Sequence, residues 1–107
     1  METIKSRREF EEVFSGGKRV NSRLVRATVL KCDGGDLGKV AFVAPKRLGN
    51  AVYRNRCKRV LREAARACGL PMQGSKVILF ATRATHDSTP QDVSVDMRSI
   101  LRRSGLQ

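Results

Sequence analysis

The sequence predicts an α+β domain in which helices lie on a small sheet, in the order α-β-β-α-β-α. Three observations carry this. Apolar residues fill 40% of 107 positions, enough for one core and a single domain over 1–107. Stretches of helical and of strand-like apolar spacing alternate along the chain. Gly and Pro punctuate the boundaries between them.

The first helix is announced by Ser6-Arg7-Arg8-Glu9, a capping box with Ser6 as N-cap and Glu9 reaching back. Phe10, Val13 and Phe14 follow at helical spacing, and Gly16-Gly17 ends the run. Val20 to Lys31 reads as a strand with Val25, Ala27 and Val29 on one apolar face. Asp33-Gly34-Gly35-Asp36 is a turn signal, and Val40 to Ala44 is the next apolar run, so the spacing predicts a hairpin there. Pro45 interrupts it. The longest helix is predicted over Ala51 to Cys68, stopped by Gly69 and Pro71. Val77 to Ala81 is a third main strand. Thr89-Pro90 offers an N-cap with proline at the first helical position. Val93, Met97, Ile100 and Leu101 then keep helical spacing to a basic C-terminus at Arg102, Arg103 and Gly105.

Charge narrows the function. Lys and Arg number 22 against 10 Asp and Glu, a net charge of +12. Such a chain attracts polyanions: nucleic acid first, an anionic membrane surface second. No stretch approaches the length of a membrane span. The N-terminus lacks the apolar run of a signal peptide, which predicts a soluble, intracellular protein. Cys32, Cys57 and Cys68 are widely spaced and form no C-x-x-C pair, arguing against a disulfide framework or a four-ligand zinc site.

The informative stretch runs from Lys46 to Glu63. On a helix, at about 100° per residue, Tyr53, Cys57, Val60, Leu61, Ala64 and Cys68 share one face. Arg54, Lys58, Arg62 and Arg66 form an i, i+4 row on another, with Arg56 and Arg59 beyond it. Like charges at this spacing cost a few tenths of a kcal/mol per pair, about 0.2–0.5. Glu63 is the only acid nearby to relieve them. Phosphates would remove the conflict, and the planar fork of arginine suits them. A solvated outer face is the alternative. No heptad repeat or helix-turn-helix partner adjoins the segment, so RNA fits better than DNA.

Lys46-Arg47-x-Gly49-Asn50-Ala51-Val52-x-Arg54-Asn55-Arg56-x-Lys58-Arg59-x-x-Arg62-Glu63 closely resembles the RNR signature of the bacterial ribonuclease P protein family. Phe10-x-x-Val13-Phe14-x-x-Gly17 resembles that family's first helix, and the order of elements agrees along nearly the whole chain. The resemblance implies a fold like the second domain of ribosomal protein S5. It also implies a small mixed sheet with a left-handed βαβ crossover, where general rules would favour a right-handed one.

The resemblance implies, too, that Lys46, Arg47, Asn50, Arg54, Asn55, Arg56, Lys58, Arg59 and Arg62 contact a catalytic RNA subunit. A cleft holding the 5′ leader of precursor tRNA would be lined by Phe10, Phe14, Arg26, Thr28, Lys58 and Arg62. A position that often carries a sheet-side aromatic aligns with Thr28, implying less stacking surface and more reliance on Arg26. Catalysis would belong to the RNA and its Mg²⁺, with no cofactor or metal held by the protein and no catalytic side chain. The protein would be a cytoplasmic monomer within a ribonucleoprotein. The rivals are a pure RNA-binding module, such as a ribosomal protein, and a protein-only ribonuclease using His86, which sits beside Asp87 in a predicted loop. The three cysteines fit the apolar stripe or a strand end, so thiol titration of denatured, non-reduced protein should find three free groups. An intramolecular bridge would contradict this reading.

Overall fold

The strands β1 (Lys18–Asn21), β2 (Val25–Lys31), β3 (Lys39–Val43) and β4 (Ser75–Ala81) form one sheet in the order β1-β2-β4-β3. The β1–β2 and β2–β4 pairs are antiparallel, and β3 joins β4 in parallel. The helices are α1 (Arg7–Gly16), α2 (Ala51–Ala67), α3 (Arg83–His86) and α4 (Pro90–Arg103), with a 3₁₀ turn at Lys46–Leu48. The computed structural model describes every residue except Met1, Asp33, Asp36 and Gln107.

Two layers follow from strand alternation. Val25, Ala27, Val29, Val77, Leu79 and Ala81 face α2 and α4, where they bury Leu61, Met97, Ile100 and Leu101 completely. Each such side chain contributes about 1.5–3 kcal/mol. The opposite face carries a smaller core in which Val13 of α1 packs on Ala41 and Ile78. The chain turns tightly from α1 into β1. A Cβ on Gly17 would stand 2.6 Å from the Val13 carbonyl oxygen and 2.8 Å from Thr28 Cγ2, so only glycine lets α1 lie this close.

Four expectations are corrected. The strand predicted over Val20 to Lys31 is two strands. The chain reverses through Ser22-Arg23-Leu24, with the Ser22 amide donating to the Val25 carbonyl and the Leu24 amide to the Asp96 carboxylate. The Val-rich pattern on both sides hid this turn. The predicted hairpin between the runs at Val20–Lys31 and Val40–Ala44 does not form, because β4 lies between β2 and β3. Val77, Ile78 and Leu79 are fully buried on alternating faces, which suits a central strand and leaves β3 at the edge. Gly34 and Gly35 do sit in a turn; Asp33 and Asp36 of that signal lie outside the described residues. The N-terminal segment covers part of the β3 edge through Ile4 N–H to the Val40 carbonyl at 3.0 Å.

The third correction is the capping box. Ser6 does cap α1, accepting from the Glu9 amide at 3.0 Å. The Glu9 carboxylate goes elsewhere, to Lys76 at 3.1 Å and Lys39 at 3.2 Å, because two strand lysines beneath α1 outbid one backbone amide. The fourth is α3, a single turn closed by reciprocal Thr82 and Thr85 bonds in a segment read as loop.

Burial pushes the Glu9 carboxyl up, but the hydrogen bonds and charges of Lys76 and Lys39 outweigh it and hold the group below the usual range. Its contribution to stability is therefore full above the unfolded value near 4.5 and is lost as pH falls through the lower folded value. Lys76 is raised, chiefly by its bond to Glu9, so its share is lost only in strong alkali. Glu9→Gln should lower stability by about 1 kcal/mol near neutral pH. The gap to the unmodified protein should close as both are melted at pH values falling below 4.5.

Candidate nucleic-acid interface

The chain leaves β3 and turns into α2 through a lead-in shaped by three residues. Leu48 is buried and anchors it. Gly49 takes a φ of 155°, and a Cβ there would press on the Tyr53 ring at 3.1 Å. Asn50 is the N-cap, its Oδ1 accepting from the Tyr53 amide at 2.9 Å. Along α2 the predicted apolar stripe is buried at Cys57, Val60, Leu61, Ala64 and Cys68, which leaves the cationic row outward. Burial raises the Cys57 and Cys68 thiols and keeps them protonated.

The basic residues of this segment divide by what they hold. Arg54 Nε donates to the Ala44 carbonyl at 2.9 Å, tying α2 to the exit of β3. Arg56 Nε donates to the His86 carbonyl at 3.2 Å, tying α2 to α3. Tyr53 stacks on the His86 ring at 3.8 Å and 2°, and His86 Nδ1 lies 2.9 Å from Asp87 Oδ1. His86 thus ends a helical turn rather than sitting in a loop. Lys46, Arg47, Asn55 and Arg59 are exposed, Lys58 is half-buried, and the exposed Arg62 lies 5.5 Å over the Phe42 ring.

A second basic surface lies on the α1 side of the sheet. The strand register places Asn21, Arg26, Phe80 and Val43 in one row across all four strands. α1 covers the neighbouring row at Ala41 and Ile78 and meets this one through Phe14, which leaves the rest of the row uncovered. The uncovered part is a cleft of about 410 Å³ whose walls include Phe14, Phe80, Arg19, Arg26 and Arg47, with the buried Thr28 in its floor. Phe14 meets Phe80 edge to face at 6.1 Å, and the Arg19 guanidinium lies 4.7 Å over the Phe14 ring.

Of the predicted cleft residues, Phe14, Arg26 and Thr28 line it. Phe10 stands behind, stacked on Phe14 at 6.2 Å and packed on the small core. Lys58 and Arg62 do not belong to its walls, because α2 packs on the other face of the sheet and Phe42, under Arg62, points there too. Thr28 brings no ring to the cleft, and Phe80 on the next strand stands there beside it. Sequence reading missed Phe80, Arg19 and Asn21. Alternation along Val77 to Ala81 sets Phe80 opposite the main core, but only the strand order reveals that α1 leaves it open.

A family model described as Ribonuclease P matches residues 1–105. A ribonuclease P protein component of Symbiobacterium thermophilum is 36% identical over 104 residues, covering 96% of this chain and 90% of the relative. One from Gluconacetobacter diazotrophicus is 35% identical over 106 residues, covering 97% and 91%. Among solved structures, the RNase P protein of Staphylococcus aureus superposes with a TM-score of 0.81 at 23% identity, over 99% of this chain and 97% of that one. The RNase P protein from Thermotoga maritima does so at 0.78 and 23%, over 96% and 97%. With its RNR helix, its sheet order and these relatives in agreement, the chain belongs to the bacterial ribonuclease P protein family.

Proposed function

We propose that this chain docks on the catalytic RNA of a bacterial ribonuclease P through α2 and its lead-in, and receives the single-stranded 5′ leader of precursor tRNA in the cleft beside α1. The observation that carries the reading is the cleft itself, where two aromatic rings stand among guanidinium groups. Rings offer a stacking face to any base, and arginines hold phosphates without reading sequence, which suits leaders of varied composition. The outward cations of α2 face away from this cleft while Arg47 of the lead-in stands in its wall, so the RNA subunit and the substrate can be held on two surfaces that meet at the lead-in.

In this reading the protein is a cytoplasmic subunit, one copy acting within the ribonucleoprotein. Cleavage belongs to the RNA and its Mg²⁺. The one histidine has its ring stacked on Tyr53 and its Nδ1 against Asp87, and it is not a wall of the cleft. The direct test is cleavage of precursor tRNA by a bacterial ribonuclease P RNA at low Mg²⁺. Adding the protein should restore turnover. No stimulation, or cleavage by the protein with no RNA present, overturns the reading.

Two substitutions separate the surfaces. Phe14→Ala in the holoenzyme should weaken binding of leader-bearing precursor by about 1–3 kcal/mol and that of mature tRNA little. Its assembly with the RNA subunit should hold. Arg59 is exposed and carries no structural bond, unlike Arg54 and Arg56, so it probes the RNA-subunit contact cleanly. Arg59→Ala should weaken assembly and flatten its log–log salt dependence by about one unit, with the melting temperature unchanged.

A further inference from the structure

The first helix crosses the strands beneath it. The segment before it pairs with β3, through Ile4 N–H to the Val40 carbonyl, and Gly17 after it lies against Thr28 and Val29 of β2. Its two flanks therefore meet different rows of the sheet. On one flank Glu9 reaches Lys76 at 3.1 Å and Lys39 at 3.2 Å, and Glu12 lies 3.9 Å from Lys76. Lys39 and Lys76 are register partners on neighbouring parallel strands. On the other flank Phe10 and Phe14 stack on each other, and Phe14 meets Phe80 edge to face at 6.1 Å. Phe80 stands along β4 from Lys76 by about 13 Å at the usual rise per residue, close to the breadth of a helix with its side chains.

One apolar anchor lies between these flanks. Among the described residues of α1, only Val13 is buried, and it packs on Ala41 and Ile78. Apolar contact has no preferred direction. A helix pinned by a single side chain on its underside has little to oppose rolling about its own axis. Roll is the motion that lifts Phe14 from Phe80, because that ring stands beside the axis and not under it. The Glu9 carboxylate opposes it, gripped by two ammonium groups at fixed places on the sheet. Glu9 and Lys76 side chains are only 18% and 16% exposed, so their bridge is screened less than a surface pair.

We infer that Glu9 is a positioning residue for the leader: through Lys39 and Lys76 it sets the roll of α1 and so holds Phe14 at the wall of the cleft. The inference rests on the leader reading above. Glu9 itself touches no substrate, since it stands on the flank away from the cleft and is not among its walls. Its effect on the leader passes through Phe14.

The test uses holoenzyme assembled on a bacterial ribonuclease P RNA, with leader-bearing precursor tRNA and mature tRNA. Charge alone gives one sign: removing an acid from a chain of net charge +12 strengthens RNA binding. Positioning gives the opposite sign. Glu9→Gln should raise Kd for the leader-bearing precursor about fivefold, less than the full loss of a stacked ring. Mature tRNA, assembly with the RNA subunit and the saturated cleavage rate should be unchanged. In a Phe14→Ala background the same Glu9→Gln change should cost less than about twofold, because the group it positions is gone. Thr89→Ala supplies a comparable loss of stability far from α1, by removing the cap that accepts from the Asp92 amide, and should bind leader like the wild type. Tighter or unchanged precursor binding, equal weakening of mature tRNA, the full fivefold loss without Phe14, or an equal loss in Thr89→Ala overturns the inference. If the wild-type holoenzyme ignores the leader, or Phe14→Ala leaves its preference intact, the cleft reading falls and this inference with it. If Phe14→Ala weakens leader binding and Glu9→Gln does not, the positioning role alone falls.

Discussion

Burial of β4 on both faces is the constraint on which the rest of this structure depends. Val77 and Leu79 close the large core with α2 and α4, and Ile78 closes the small one with Val13 of α1. A strand apolar on both sides must lie in the middle of a sheet with a layer on each face. It separates β2 from β3, and β3 joins it in parallel through a crossover that carries α2. The basic helix stands where it does because this strand needs a cover.

The same two-layer arrangement creates the aromatic cleft by leaving the α1 side of the sheet unfinished. α1 covers Ala41 and Ile78 and touches Phe80 through Phe14, leaving the Arg26 part of the Phe80 row open. It is fixed in that position by the absence of a Cβ at Gly17 and by Glu9 between Lys39 and Lys76. Phe14 shows the compromise in one side chain: it packs on Phe10 and Phe80 and remains 39% exposed.

Basic residues here do two jobs that composition cannot separate. Arg54 and Arg56 look like further RNA contacts in the motif, and they also fasten α2 to β3 and α3 through main-chain carbonyls. Asn50 caps the helix that it helps to present. Part of the signature is thus the scaffold that orients the remainder, and replacing those residues would disturb docking through geometry as well as charge. In the reading proposed above, charges without such bonds, on α2 and around the cleft, are the ones that meet phosphate.

Much of this was legible in the chain itself. The caps at Ser6 and Thr89 and the stops at Gly17 and Gly69 are local chemistry, so α1, α2 and α4 fall where spacing and capping put them. The buried stripe of α2 and the opposing cationic row follow from helical period alone, and with them the polyanion partner. What the chain did not reveal are relations between segments distant in sequence. Strand order, the destination of the Glu9 carboxylate, the exclusion of Lys58 and Arg62 from the cleft, and the pairing of Phe14 with Phe80 are of this kind. Sequence by itself determined the elements, their apolar faces and the charge that selects RNA, because these depend on neighbours a few residues apart. Tertiary structure alone decided which faces stay open, because that depends on how α1 and strands distant from it in sequence come to lie against one another.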